Sequence, residues 1–182
     1  MSADTYRPSP TKERRYKKTW AFMEPSMLKD QSILDLGTKN PFSDFLASKG
    51  YKVINTEGED LDEFPESVAR YNSDVTTAFE IFEHLLNPLS VLKAIKSDRL
   101  FASIPLRLWF AKAYRNKNDR WDQHFHEFED WQFDWLIEKS GWVIKDRIKW
   151  KNPGRSFGIR PLLRNFYPRY YGIYAERAIS PS

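Results

Sequence analysis

The sequence predicts an α/β sandwich: a mostly parallel sheet with an antiparallel hairpin at its C-terminal edge. Three observations point there. Ser32–Asn55 reads as strand, turn, helix, glycine, strand, which is a compact βαβ unit. Two further β-rich runs, Val75–Phe79 and Leu100–Ile104, flank a helical pattern that starts at Asn87-Pro88. The last two runs, Trp142–Trp150 and Tyr170–Ala178, are joined without a long crossover helix, so they suit antiparallel pairing.

In chain order, residues 1–15 carry Pro8, Pro10 and several hydroxyl side chains, and are expected as a flexible basic tail. Residues 16–182 then form a single domain. Tyr16, Trp20, Phe22 and Met23 fall at loosely helical spacing, so Tyr16–Met27 is a short helix or a cover over the first strand. Ile33–Leu36 has the length and apolarity of a buried strand. Asp35 stands at its carboxyl end, beside Gly37, which tolerates positive φ. Asn40 is an N-cap candidate, Pro41 suits the first helical position, and Asp44 lies near the positive end of the helix dipole. The helix Pro41–Lys49 presents Phe42, Phe45 and Leu46 on one side and stops at Gly50. Tyr51–Asn55 is the second strand.

An acidic run, Thr56–Glu63, follows at once, and Phe64–Asn72 is too short for a helix, strand and helix. The third-strand region is therefore abbreviated. After Val75–Phe79, the helix from Asn87-Pro88 presents Leu89, Leu92 and Ile95. Leu106–Gln123 interleaves aromatic and basic residues after a strand end, the place for a substrate lid. Glu129–Ser140 reads as a helix with Phe128, Trp131, Trp135 and Leu136 inward and Gly141 as its stop. Trp142–Trp150 alternates as a strand should, Asn152–Arg169 is a loop with a helical piece at Pro161–Phe166, and Tyr170–Ala178 is the final strand.

Composition sets outer bounds. At 182 residues, 41% hydrophobic and 30% charged, the chain suits one domain with a proper core. The absence of cysteine excludes disulfides, thiolate metal ligands and a cysteine nucleophile. The net charge of +4 is uneven: both ends are basic and the middle, Glu57–Glu83, is acidic. The basic stretches suit an anionic partner or simply a solvated face. Arg155–Tyr171 has a composition that stacks on single-stranded RNA, but no nucleic-acid module accompanies it, so nucleic acid is not expected as a partner. No apolar run approaches the roughly 20 residues of a membrane span, and no apolar leader core is present, so the expected location is the cytoplasm.

Some residues carry possible chemistry. Glu57 follows Asp35 by about twenty residues, the spacing at which a carboxylate reaches ribose hydroxyls in a nucleotide-binding βαβ unit. The other reading is a solvated acidic loop. His124-Phe125-His126-Glu127 offers two imidazoles on an extended segment, as a zinc site, a general base or a hydrogen-bonded hinge. The balance of these readings is no metal site. Glu83 steers a substrate amine or holds structure, and His84 serves its own turn.

Four stretches together resemble the class I S-adenosylmethionine-dependent methyltransferases, in particular the type 11/type 23 group. They are Ile33-Leu34-Asp35-Leu36-Gly37, Glu57 after the second strand, Asp74–Pro88 with its Glu83-His84-Leu85 turn, and His124–Phe128 before a helix and Gly141-Trp142. The Tyr-rich last strand matches the family's seventh. The resemblance implies a Rossmann-like fold, S-adenosyl-L-methionine as cofactor and methyl transfer to a small-molecule acceptor. It places Asp35, Gly37 and Thr38 beside the methionine part of the cofactor, Glu57 on the ribose, Asp60 or Leu61 near the adenine, and Phe79 and Glu80 on the pocket floor. It assigns no catalytic residue. Where the family runs Gly-x-Gly-x-Gly, Lys39 and Pro41 take the second and third positions. A lysine there either clashes with the cofactor or pairs with its carboxylate. The alternative that this departure favours is a catalytically inactive methyltransferase-like binding or regulatory protein.

Overall fold

A computed structural model describes residues 10–119, 121–151, 163 and 165–178. Four strands run parallel: β1 (Ser32–Asp35), β2 (Lys52–Asn55), β3 (Val75–Phe79) and β4 (Arg99–Pro105). Two more, β5 (Trp142–Trp150) and β6 (Tyr170–Arg177), complete the sheet in the order β2-β1-β3-β4-β6-β5. β6 is antiparallel to both of its neighbours, so the chain's last strand is inserted between β4 and β5. This is the expected α/β sandwich with its antiparallel C-terminal pair. The third-strand region is abbreviated as expected: between β2 and β3 the helical structure is the 3-10 helix Pro65–Arg70, and no strand intervenes.

Among the described residues, four α-helices flank the sheet: α1 (Pro10–Met23), α2 (Pro41–Ser48), α3 (Pro88–Ala94) and α4 (Asp130–Lys139). Alternation along β1 divides the core. Ile33 packs with Met23, Phe42, Leu46, Val75, Phe101 and Tyr174 on the α1/α2 face. Leu34 joins the larger cluster on the other face, with Val91, Leu92, Phe133, Ile137, Trp142 and Ile173. The N-terminus of α2 forms as its residues dictate: the Asn40 side chain accepts from Phe42 and Ser43 N–H, and the Ser43 hydroxyl accepts from Asn40 N–H in return.

Two expectations are corrected. Helix α1 begins at Pro10, so residues 10–15 of the expected tail are helical, and Arg15 is packed against the sheet's end. In α4 the inward residues are Phe133 and Ile137, while Trp131 and Trp135 are 56% and 66% exposed. The helical piece expected at Pro161–Phe166 and the basic stretch from Arg155 lie largely outside the described residues. Among the described residues, no helix is long and apolar enough to cross a membrane.

Candidate active site

A cavity of about 970 Å3 crosses the carboxyl ends of β1 to β4, near the upper end of the roughly 300–1,000 Å3 usual for ligand sites. Its wall is built by the segments that leave those strands. Gly37 turns the chain out of β1 at φ +100, a conformation that favours glycine. A Cβ there would lie 3.2 Å from Ile81 Cδ1, itself a wall residue.

Asp35 holds this turn together from inside. It is 2% exposed, and its carboxylate accepts from Thr77 Oγ1 (2.7 Å), Ser43 Oγ (2.8 Å), Asn40 Nδ2 (3.1 Å) and Asn55 Nδ2 (3.2 Å). Burial pushes its carboxyl above the usual range, and these donors pull it back. The Gly37 N–H donates to Thr56 Oγ1 at 2.9 Å. Asp35 and the Gly37 amide therefore hold the site's frame. Thr38 lines the cavity.

Lys39 and Pro41 stand in the wall and leave the cavity open. Lys39 Nζ is 2.8 Å from Asp44 Oδ1 in the first turn of α2, with both side chains mostly in water. Pro41 occupies the first position of α2.

Glu57, expected to hold a ribose, is exposed and lies outside the cavity wall. Gly58, at φ +94, turns the chain directly after it. The carboxylates that the wall presents beyond β2 are Glu59, Asp60, Asp62 and Glu63. Glu59 accepts from Glu57 N–H (2.8 Å) and Tyr71 OH (3.2 Å). Its own backbone N–H, that of Glu57 and the Tyr71 hydroxyl hold it below the usual carboxylate range. Asp62 accepts from Leu86 and Asn87 N–H at 2.8 Å each, which ties the loop after β3 to the acidic segment.

Phe79 and Glu80 line the cavity. Phe79 packs edge-on against Phe42 at 5.4 Å. Glu80 has φ +59, a strained backbone for a side-chain-bearing residue. Its carboxylate accepts from Ser103 Oγ at 3.0 Å and pairs with Arg15 at 3.4 Å. Burial raises the Glu80 carboxyl, against the pull of Arg15 and Ser103. Arg15 is a wall residue that sequence reasoning assigned to the tail. Its signal was the helical spacing of Arg15 and Thr19, which both line the cavity and are joined by the Thr19 hydroxyl donating to Arg15 O at 3.0 Å.

The lid segment supplies the far wall. Trp121, Gln123 and Phe125 line the cavity together with Ile81, His84 and Leu85, and His84 Nδ1 meets Gln123 O at 3.0 Å. Phe125 and His126 N–H both donate to Glu83 O, at 2.8 and 3.2 Å, which pins lid to turn. His124 and His126, whose pairing on zinc is the disfavoured reading of the sequence, take separate partners. His126 reaches Leu86 O at 3.3 Å and stacks on Phe128, whereas His124 lies edge-on to His84 with ring centroids 4.9 Å apart. Beside them Glu83 is 1% exposed, and burial and the Glu80 charge raise its carboxyl well above the usual range.

No family model matches the chain, and no curated protein sequence matches it. Solved structures do. A 1,6-didemethyltoxoflavin-N1-methyltransferase from Burkholderia thailandensis, with 1,6-didemethyltoxoflavin and S-adenosylhomocysteine bound, aligns with a TM-score of 0.64 at 11% identity, over 97% of this chain and 94% of that one. A SAM-dependent methyltransferase from Archaeoglobus fulgidus aligns at 0.62 and 14% identity, over 91% and 94% of the two chains. One from Methanosarcina mazei aligns at 0.60 and 14%, over 87% and 98%. With the strand order and the antiparallel C-terminal pair, these likenesses show that the chain has the class I S-adenosylmethionine-dependent methyltransferase fold.

Proposed function

We propose that this chain binds S-adenosyl-L-methionine in the cavity and transfers its methyl group to a small-molecule acceptor. The observation that carries this reading is an open, acid-lined cavity across the strand ends, with Lys39 drawn outward onto Asp44. Carboxylates in the wall suit a sulfonium, and a lysine aimed inward would oppose it. The cofactor supplies an electrophilic methyl: the acceptor atom bonds to that carbon as the carbon–sulfur bond breaks and its electron pair returns to sulfur. The chain's own part is positioning and exclusion of water. The turn Gly37–Asn40 carries the methionine end, with Lys39 at its rim. Glu59 and Asp60 take the ribose and adenine side, the place first given to Glu57. Phe79 and Glu80 form the floor, and the lid residues Trp121 and Phe125 cover the acceptor.

A second reading is a cofactor-free binding or regulatory protein. It is favoured by the internal use of Asp35 and the Gly37 amide, and by the outward Glu57. Calorimetric titration with S-adenosylhomocysteine separates the two. Micromolar binding that Gly37→Trp abolishes supports the enzyme. Absence of binding at millimolar ligand supports the second reading, and normal binding by Gly37→Trp removes this turn from the site.

A further inference from the structure

We propose that Glu83, His84 and His124 form a binding site for one divalent transition-metal cation of the zinc class, set in the cavity wall. The ligand atoms these three side chains offer lie within 4.8 Å of one another. His84 Nε2 is 3.8 Å from Glu83 Oε1. Both imidazoles are oriented from behind: His84 Nδ1 faces Gln123 O at 3.0 Å, and His124 Nδ1 faces Glu127 Oε1 at 3.2 Å. With each Nδ1–H given to an oxygen, each Nε2 keeps its lone pair, the arrangement of metal-bound histidines.

An independent observation marks the same place. Glu83 Oε2 is fully buried and has no hydrogen-bond partner among the described residues. A buried carboxyl oxygen without a partner is unfavourable, and a cation would satisfy it. The lid backbone is already tied to the turn through Glu83 O, which holds the two contributing segments together.

The donor set selects the ion. Two imidazoles and a carboxylate, with no thiolate, suit zinc, iron, nickel or copper better than calcium, magnesium or manganese. Bond lengths of about 2.0–2.2 Å put tetrahedral ligand atoms about 3.4 Å apart, so the three groups close inward on binding. Three protein ligands leave one position for water or another oxygen. His84 belongs to both the cluster and the cavity wall. A hydroxyl or carboxylate oxygen of the methyl acceptor suits that position, a role that rests on the methyl-transfer reading.

The test uses the full chain, stripped with a chelator and dialysed against Zn2+ without cofactor. Elemental analysis is expected to find about one zinc per chain, lost in His84→Ala and His124→Ala and kept in His126→Ala. Cobalt keeps the test decisive if a variant fails to fold. Intense visible d–d bands from the unsubstituted chain support the site. A weak aqua-ion spectrum, no retained zinc, or equal retention by all variants overturns it. A separate titration with S-adenosylhomocysteine keeps the readings distinguishable: zinc without cofactor binding removes the methyl-transfer reading alone, and cofactor binding without zinc removes this site alone.

Discussion

Asp35 shows how one side chain is used up by architecture. Thr77, Ser43, Asn40 and Asn55 all donate to it, so Asp35→Leu strands buried donors from β3, α2 and β2 together. Its place at the end of β1 was legible in the sequence; its role was not, because two of its partners, Asn55 and Thr77, come from neighbouring strands. The same holds for Glu57. A count of residues reaches it correctly, but the positive-φ turn at Gly58 hands the wall to Glu59 and Asp60. Tyr174 is 8% exposed. Burial and its hydrogen bond to Glu176 push its hydroxyl up to about 12 from 10.0. Neutral Tyr174 therefore contributes stability that is complete below pH 10.0 and is lost as pH rises through about 12. That contribution is on the order of 2 kcal/mol. Denaturant unfolding of the wild type and Tyr174→Phe across this range should show the wild type's advantage vanishing at the alkaline end.

Elements were readable where one apolar stripe dominated. The bounds of α2 and β5 follow from a cap, glycines and alternation, and β3 from its β-branched residues. Helix α4 carries two i,i+4 stripes, Trp131/Trp135 and Phe133/Ile137, and ring size favoured the wrong one. Rotation of the helix was set by the sheet it meets, which periodicity alone does not contain. Helix α1 was cut short because its first turns are polar. Its fully buried Met23 nonetheless joins β1, β3 and β4. Met23→Ala is expected to cost about 3 kcal/mol, read by urea unfolding. The β5–β6 pair has a tight spot at Gly172, where a Cβ would lie 3.1 Å from Ile148 and Trp150 side-chain atoms. Gly172→Val should cost about 1–3 kcal/mol by overpacking, visible as a lowered urea midpoint.

Across the molecule, the antiparallel pairing of β5 with β6 and the abbreviated region after β2 were legible, because one connection holds no long crossover helix and the other is too short for a helix, strand and helix; the place of β6 between β4 and β5 was not, since no local signal orders strands within a sheet. The Glu83–His84–His124 cluster was legible only in part: the sequence offers His124 as a zinc ligand beside His126, and the neighbours it actually has meet it only where the chain folds back. A ligand that binds the folded chain stabilises it by mass action, about 2.7 kcal/mol at a hundredfold excess over Kd. For a domain of this size S-adenosylhomocysteine should then raise Tm by about 5–10 °C in a thermal melt. An unchanged Tm at millimolar ligand counts against the proposed function.

The insertion of β6 between β4 and β5 has a consequence for synthesis on the ribosome. The carbonyls and amides along one side of β4 stay unpaired until Tyr170 and its successors emerge, long after β4 itself is made. Stalled nascent chains ending before Tyr170 should be protease-sensitive and prone to self-association, and chains extended past Arg177 should resist digestion once clear of the exit tunnel.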